Sequence, residues 1–186
     1  VDALTAFKRF RVLCALREGP FGVKAFNQAL ETELARRGLI DPGSPFYLGR
    51  PIMVTRNDYA LKLFNGDVGL VWPDLGMDAA PRAFFPLPDG SLKGHAVSRL
   101  PQHESVFAMT VHKAQGSEFR RVLLVLPLES SPVATRELLY TGITRAMERV
   151  TVAATEAAVR RSLVQRSRRQ TGLRDRLWGP EGCADS

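Results

Sequence analysis

The sequence has few of the features that mark secreted, membrane or metal-binding proteins. Only two cysteines occur among 186 residues, Cys14 and Cys183, which are too few for a disulfide framework. The three histidines show no ligand spacing with either cysteine, so no metal site is predicted. No apolar run approaches the roughly 18 residues that a membrane span needs, and no signal-peptide stretch follows Val1. These absences favour a cytoplasmic protein with no membrane contact.

An initiator methionine is also missing, since the chain begins with Val1. We therefore expect a piece of a longer chain. The 45% hydrophobic content and mixed charge predict one packed core with a small appended module. The formal net charge is +7, with many arginines concentrated in residues 160–176. This charge favours acidic partners such as nucleic acid, but a solvated helix face and a frayed tail explain the same arginines equally well.

Apolar runs alternate with helical patterns along most of the chain. Residues 10–16 form a run that is apolar apart from Arg11, typical of a strand buried on both faces of a parallel sheet, and Cys14 is expected to pack within it. A helical pattern follows from Val23, with Gly38 as its expected end. Later strands and helices are predicted over residues 106–111, 122–126, 135–146, 150–153 and from 156. This alternation predicts an α/β fold, a parallel sheet with helices on both faces.

The middle of the chain has a different pattern. A proline- and glycine-rich linker over residues 41–49 is followed by a predicted strand at 51–55. Beyond it, turn-forming pairs such as Asn65-Gly66 separate short apolar runs, as in a small antiparallel β module. Trp72, Phe84 and Phe85 are expected to pack in the core of this module rather than to stack on bases. We divide the chain into the first part of an α/β domain, an inserted β module, the second part of the α/β domain and a basic, flexible tail, over residues 1–56, 57–103, 104–168 and 169–186.

The first segment that suggests chemistry is residues 108–119, where a strand breaks into polar residues, a glycine and an acid. Thr110 and His112 can give hydrogen bonds to a phosphate backbone. Gly116 allows a close approach of the backbone to a ligand, and Glu118 can accept from a ribose hydroxyl. A strand followed by an ordinary capped turn is the alternative, and the residues alone leave both open. We expect the segment at an end of the sheet where ligands bind.

The second segment is residues 137–146, in which Gly142 and two threonines interrupt a helical pattern. Glycine and β-branched residues lower helix stability relative to alanine, and such a local conflict is more common at functional sites. Arg145 has a permanent charge and planar donors, which suit the charge that develops on a transferring phosphoryl group. A surface salt bridge is its alternative role.

Together the two segments resemble hallmark motifs of superfamily 1 DNA helicases. Residues 110–119, Thr-Val-His-Lys-Ala-Gln-Gly-Ser-Glu-Phe, are similar to helicase motif V, and residues 138–146, Leu-Leu-Tyr-Thr-Gly-Ile-Thr-Arg-Ala, are similar to motif VI. The resemblance extends to the RecD family, the helicase subunits of exodeoxyribonuclease V, over residues 13–22, 49–51, 56–58 and 63–67. It departs at Ala114, where many relatives carry serine.

The resemblance implies a RecA-like motor domain, the second of two, with an inserted SH3-like β domain over the DNA track. It implies that Arg145 is an arginine finger, which reaches ATP and Mg²⁺ bound mainly by the preceding RecA-like motor domain of the same chain. The nucleotide cleft would be lined by Gly116, Glu118 and Arg17. Single-stranded DNA would be contacted by Thr110, His112 and Asn65, although Asn65 is equally explained as a hairpin turn. RecB- and RecC-like subunits are the other implied partners.

A phosphate-cradling loop of the form Gly-x-x-x-x-Gly-Lys-Ser/Thr does not occur in the sequence. Because phosphoryl transfer needs that loop, the metal and the arginine together, we expect the chain alone neither to hydrolyse ATP nor to unwind DNA. Two other functions remain open: a stand-alone or conjugative relaxase helicase of the same subgroup, and a non-catalytic nucleic-acid-binding module. A dinucleotide-binding enzyme is excluded, since no Gly-x-Gly-x-x-Gly follows the first strand.

Overall fold

A computed structural model describes residues 2–41, 43–74, 76 and 79–167, which form two β-sheets of different kinds. The basic tail predicted over residues 169–186 lies outside the described residues, as does Cys183. In chain order the elements are α1 (Asp2–Lys8), β1 (Phe10–Cys14), α2 (Val23–Arg36), β2 (Pro51–Val54), β3 (Val68–Asp74), β4 (Ala80–Pro86), β5 (Leu92–Ala96), β6 (His103–Ser105), β7 (Ala108–Thr110), β8 (Phe119–Val125), α3 (Arg136–Ile143), β9 (Ala146–Ala153) and α4 (Glu156–Val164).

The first sheet is parallel, with the strand order β7-β1-β8-β9. The inner strand β1 contributes side chains to both faces, as its apolar run predicts. Leu13 packs on one face with Leu124 of β8 and with α3, and Cys14 packs on the other face with Val23 of α2. Helices therefore cover both faces, and the predicted α/β architecture is confirmed. Burial raises the pKa of the Cys14 thiol to about 12, so this cysteine is an unreactive core residue.

Local signals in the sequence determine where α2 ends. Gly38 has a φ of +67°, its N–H donates to the carbonyl of Ala35 (2.9 Å), and the N–H of Leu39 donates to that of Leu34 (2.9 Å). This pair of bonds is a Schellman motif, which glycine favours because it has no Cβ. The predicted end of the helix is thus confirmed. No helix within the described residues is both long and apolar enough to cross a membrane.

The second sheet is antiparallel, with the strand order β5-β4-β3-β2-β6. It includes β2 and β6, so the sheet is wider than residues 57–103. All four residues of β2 are buried, and β2 pairs with β3 on one side and β6 on the other. The strand expected at 51–55 therefore belongs to the antiparallel sheet and not to the parallel one. The division of the chain into domains stays a prediction.

Helix α3 is shorter than the helix predicted over residues 135–146. Thr135 caps its start by accepting a hydrogen bond from the N–H of Leu138 (3.3 Å). The helix ends at Ile143, because β9 begins at Ala146, opposite Phe119 of β8. The strand expected at 150–153 thus extends four residues further toward the N-terminus.

Candidate functional site

Thr110 ends β7 and organises the turn that follows it. Its carbonyl oxygen accepts a hydrogen bond from the N–H of Ala114 (3.1 Å), and its Oγ accepts one from the N–H of Lys113 (3.2 Å). These bonds close a helical turn over residues 111–116, as a capping side chain does at the start of a helix. The hydroxyl proton is not used in them, so Thr110 can still donate to a ligand. His112 is exposed on the same turn.

Gly116 ends this turn in a backbone conformation that few other residues adopt. Its φ is +82°, and no atom would lie within 4 Å of an added Cβ. Conformation rather than space therefore requires glycine here. The turn carries the chain from the carboxyl end of β7 to the amino end of β8. Glu118, which is exposed, consequently lies at the opposite edge of the sheet from Thr110.

The side chain of Arg145 joins the two segments at this amino edge. Its Nη1 donates to the carbonyl oxygen of Ser117 (3.2 Å), and its Nε donates to that of Thr141 in α3 (3.3 Å). The N–H of Phe119 in turn donates to the carbonyl oxygen of Arg145 (2.9 Å). Arg145 is thus hydrogen-bonded both to the end of the helix that precedes it and to the loop that follows Gly116.

The guanidinium of Arg145 is not neutralised within the described residues. No aspartate or glutamate there forms an ion pair with it. The surface salt bridge that its sequence position allowed is therefore not formed in this part of the chain. Its partners are neutral carbonyl and hydroxyl oxygens, so the positive charge stays available to an anionic ligand.

Packing accounts for the residues that interrupt the pattern of α3. A Cβ added to the buried Gly142 would lie 2.8 Å from Cδ1 of Leu124, so glycine lets the helix approach β8 closely. Thr141 donates from its hydroxyl to the carbonyl of Glu137 (2.7 Å), and Thr144 donates to that of Thr141 (3.0 Å). Gly142, Thr141 and Thr144 lower the helix propensity of this segment, and each has a structural role of its own: Gly142 in packing and the two threonines in hydrogen bonds to backbone carbonyls.

A cleft of about 320 Å³ separates the 111–116 turn from α3. His112 and Gln115 line it from the turn, and Glu137 and Thr141 line it from the helix. The two motif-bearing segments therefore face each other across one open space, in addition to their contact through Arg145.

Arg17 lies at the other edge of the sheet, after β1, away from Arg145. Five strand residues separate the two edges, which corresponds to on the order of 15 Å. Its Nη2 is 3.1 Å from Oε2 of Glu104, whose Oε1 is 2.9 Å from Nζ of Lys113. Glu104 belongs to β6, so this carboxylate links the antiparallel sheet to two loops of the parallel sheet.

The predicted site residues thus occupy three places. Arg145, Gly116 and Glu118 lie together at the amino edge of the parallel sheet. Thr110, His112 and Arg17 lie toward its carboxyl edge, so Arg17 is not brought to the other residues predicted for the nucleotide cleft. Asn65 is exposed in the loop between β2 and β3, where its N–H donates to Oδ1 of Asn57 (2.8 Å). The first segment begins at the edge where parallel strands end, whereas Arg145 lies at the other edge, because it directly precedes β9.

The sequence reasoning missed Glu104 and Lys113. Lys113 stands inside the first segment, but nothing local distinguishes Glu104, which lies 87 residues from Arg17 in the chain. Phe85 is 3% exposed and packs in the core of the β module as predicted, and Phe84 is half-buried. The same prediction is wrong for Trp72, which is 43% exposed.

Comparison with known proteins gives a consistent family. The UvrD-like helicase C-terminal domain family matches residues 105–153, which span β7 to β9 and both segments. The RecBCD enzyme subunit RecD of Mycobacterium tuberculosis is 43% identical over 181 residues, which cover 97% of this chain and 31% of that protein. The ATP-dependent RecD2 DNA helicase of Deinococcus radiodurans is 32% identical over 90% of this chain and 23% of its own length.

A solved structure supports the fold. The Pif1 helicase from Bacteroides, in complex with ADP-AlF3 and ssDNA, superposes with a TM-score of 0.50 at 14% identity, covering 97% of this chain and 50% of that chain. At this identity the likeness concerns the fold alone, a RecA-like parallel sheet with an antiparallel module. The chain spans less than a third of the length of the curated relatives that it matches. With the match to RecD subunits over nearly its whole length, the chain belongs to the RecD family and corresponds to a C-terminal fragment of its members.

Proposed function

We propose that this chain is the C-terminal motor domain of an ATP-dependent DNA helicase subunit of the RecBCD exodeoxyribonuclease V complex. In that role it works in the cytoplasm in double-strand break repair and recombination, together with RecB- and RecC-like subunits. The similarity of this chain to a RecD subunit and to the UvrD-like helicase C-terminal domain supports this role for the full protein. A stand-alone RecD-like helicase is the second candidate, which the 32% identity to the Deinococcus radiodurans RecD2 helicase favours.

The observation that carries the proposal is the position of Arg145. Its guanidinium bridges the Ser117 carbonyl and the end of α3, and within the described residues it has no carboxylate partner. A positive charge held by neutral acceptors is suited to the charge that spreads over a transferring phosphoryl group. Arg145 would reach ATP on the preceding RecA-like motor domain, and the Gly116 turn and Glu118 would face the nucleotide from this side.

The remaining residues suit a single strand of DNA at the other edge of the sheet. Thr110 has a hydroxyl proton to donate, His112 is exposed beside it, and the cleft below them is open. Phosphate contacts of this kind fix a strand without reading its sequence. In the full protein, closure of two motor domains on ATP would move this edge along the strand, 5′ to 3′ as in the RecD family.

The chain supplies only part of the composite ATP site, because no phosphate-cradling loop occurs in it. We expect the isolated chain to show no DNA-stimulated ATP hydrolysis. Measurable turnover by the purified chain would contradict this division of the site.

Replacing the arginine tests the proposal directly. In the full-length protein, Arg145→Ala should leave ATP binding nearly unchanged and lower kcat by about 10³-fold or more, the range seen for arginine fingers. Arg160→Ala removes an exposed arginine of α4 that pairs with Glu156, and it serves as the matched control with normal kcat. Stopped-flow nucleotide binding and steady-state hydrolysis with oligo-dT separate the two effects. Unchanged kcat in Arg145→Ala would remove this residue from the proposed role.

Purification of the full-length protein distinguishes the two candidates. A RecBCD-type subunit should copurify in a fixed ratio with RecB- and RecC-like chains, whereas a stand-alone helicase should unwind DNA without them.

A further inference from the structure

The loop over residues 56–67 of the antiparallel sheet presents two aromatic rings to solvent. Tyr59 is 77% exposed and Phe64 is 46% exposed. Their ring centroids lie 6.1 Å apart with an interplanar angle of 75°, an edge-to-face pair. One ring therefore supports the other, and Tyr59 stays largely open to a ligand.

The backbone that carries these rings is held by a dense set of hydrogen bonds. Asp58 and Leu63 exchange two backbone bonds (2.7 and 3.0 Å), and Oδ2 of Asp67 accepts from the N–H of Phe64 (2.7 Å). Leu63 is buried in the core of the sheet, at 2% exposure. The backbone that carries the rings is thus already ordered, so binding of a ligand to them costs little additional conformational entropy.

Lys62, which lies between Tyr59 and Phe64 in the sequence, has an unusual backbone conformation. Its φ is +56°, in the left-handed region that side chains other than glycine, asparagine and aspartate rarely adopt. Such a conformation persists only where the surrounding structure imposes it. The lysine side chain is exposed, in the same loop as the two rings.

Three cations lie in or against the loop that carries the aromatic pair. Arg56 and Lys62 are exposed in the loop, and Nζ of Lys93 reaches the carbonyl of Leu61 (3.3 Å). The two carboxylates of the loop, by contrast, accept bonds from backbone N–H groups of the loop itself. The apolar area is limited to two rings among polar and charged side chains, which does not suit a protein interface that needs a contiguous apolar patch.

We infer that this loop is a stacking platform for the bases of a single strand of nucleic acid, with Tyr59 stacking on a base and Lys62 contacting a phosphate. The inference rests on the proposed function, of which it names a further binding site. Exposed aromatic rings beside cations are the combination that binds single strands without sequence preference. The other aromatic residues of the module differ, because Phe85 is buried and Trp72 lies outside the loop.

Binding of two matched probes tests the inference. Oligo-dT and an abasic oligomer of the same length carry the same phosphates, but only oligo-dT has bases to stack. In the full-length protein without ATP, Tyr59→Ala should weaken binding of oligo-dT about 5- to 150-fold, the range measured for one stacked base. It should change abasic binding less than about twofold, and Tyr59→Phe should retain the affinity of the unmodified protein.

A charge variant and an aromatic control complete the design. Lys62→Asn keeps a residue that tolerates positive φ. It should weaken both probes and lower the slope of log K against log salt by about 1. Trp72→Ala should bind as the unmodified protein does. An equal loss in Tyr59→Ala and Trp72→Ala, an equal loss on both probes, or no loss in Tyr59→Ala would each overturn the platform while the proposed function stands. Absence of oligo-dT binding by the unmodified protein would overturn both.

Discussion

Single buried polar residues show how the two sheets tolerate charge and polarity in their cores. Arg11 of β1 is 2% exposed, and its guanidinium lies 3.7 Å from the ring centroid of Phe7 and 5.0 Å from that of Phe119. Its Nη1 donates to the carbonyl of Val106 (2.7 Å). Burial lowers the pKa of Arg11 to about 10, so the arginine remains charged at neutral pH between two aromatic faces.

His95 of β5 has no comparable compensation. It is 6% exposed, packs edge-on against Phe85 at 5.8 Å, and its Nε2 has no hydrogen-bond partner among the described residues. Burial lowers the pKa of His95, and the charges facing it act in the same direction, Lys93, Arg82 and Arg99, with Asp58 opposing them. The structure therefore favours the neutral imidazole.

The lowered pKa of His95 predicts a loss of stability in mild acid. The unfolded chain takes up the proton near pH 6.5 and the folded chain only at a lower pH, so stability should fall as the pH drops below about 6.5, until the folded pKa is passed. Thermal unfolding between pH 7.5 and 5 measures this. His95→Leu should reduce the loss, whereas His112→Gln, which alters an exposed histidine, should not. The same pH dependence in all three proteins would contradict the assignment.

The packing of helices against strands depends on contacts between residues that lie far apart in the sequence. Helix α3 approaches β8 at Gly142, where an added Cβ would lie 2.8 Å from Leu124, which is fully buried. The close approach also places the end of the helix, and with it Arg145, beside the loop that precedes β8.

Replacing this glycine measures the closeness of the two elements. Gly142→Ala should lower the free energy of unfolding by about 1–2 kcal/mol, because the cost of overpacking exceeds the gain of about 1 kcal/mol in helix propensity. In a Leu124→Ala background the same change should be neutral or stabilising, since the space is then free. Denaturant unfolding of the four proteins of this double-mutant cycle gives the coupling. Additive effects would show that the contact is not strained.

Features set by neighbouring residues were predictable, and features set by distant pairing were not. The end of α2 at Gly38 follows from local backbone chemistry, and the burial of β1 follows from its apolar run. The start of β9 at Ala146 does not, because the local pattern there is helical and the pairing with Phe119 overrides it. The contact of Arg145 with the first segment was not predicted, since 28 residues separate it from Ser117; the resemblance implied only that Arg145, Gly116 and Glu118 face the same nucleotide.

At the scale of the whole molecule, Glu104 connects the two sheets. Its carboxylate is shared by Arg17 and Lys113, and the side chains of Glu104 and Lys113 are 30% and 29% exposed. Pairs this exposed contribute little to stability, about 0–1 kcal/mol. Their main effect is to neutralise one of two cations near the edge where Thr110 and His112 lie.

Removing this negative charge should therefore change binding more than folding. Glu104→Gln should tighten the binding of oligo-dT several-fold at low salt and steepen its salt dependence, because both cations become available to phosphates. Glu156→Gln removes the same charge from α4, where Glu156 pairs with Arg160 and not with Arg17 or Lys113, and should have a smaller effect. Fluorescence anisotropy titrations at several salt concentrations measure both variants. Weaker binding by Glu104→Gln would mean that the carboxylate positions Lys113 rather than competing with the ligand.

The antiparallel module is connected to the rest of the chain through two neighbouring strands, β2 and β6. The chain enters the module along β2 and leaves it along β6, and Val54 lies directly opposite His103 in that pair. Residues facing each other in an antiparallel pair are separated by about 5 Å, and a two-residue turn closes such a gap. The chain therefore returns close to the point where it left β2, so changes in length between Val54 and His103 need not move any strand of the parallel sheet.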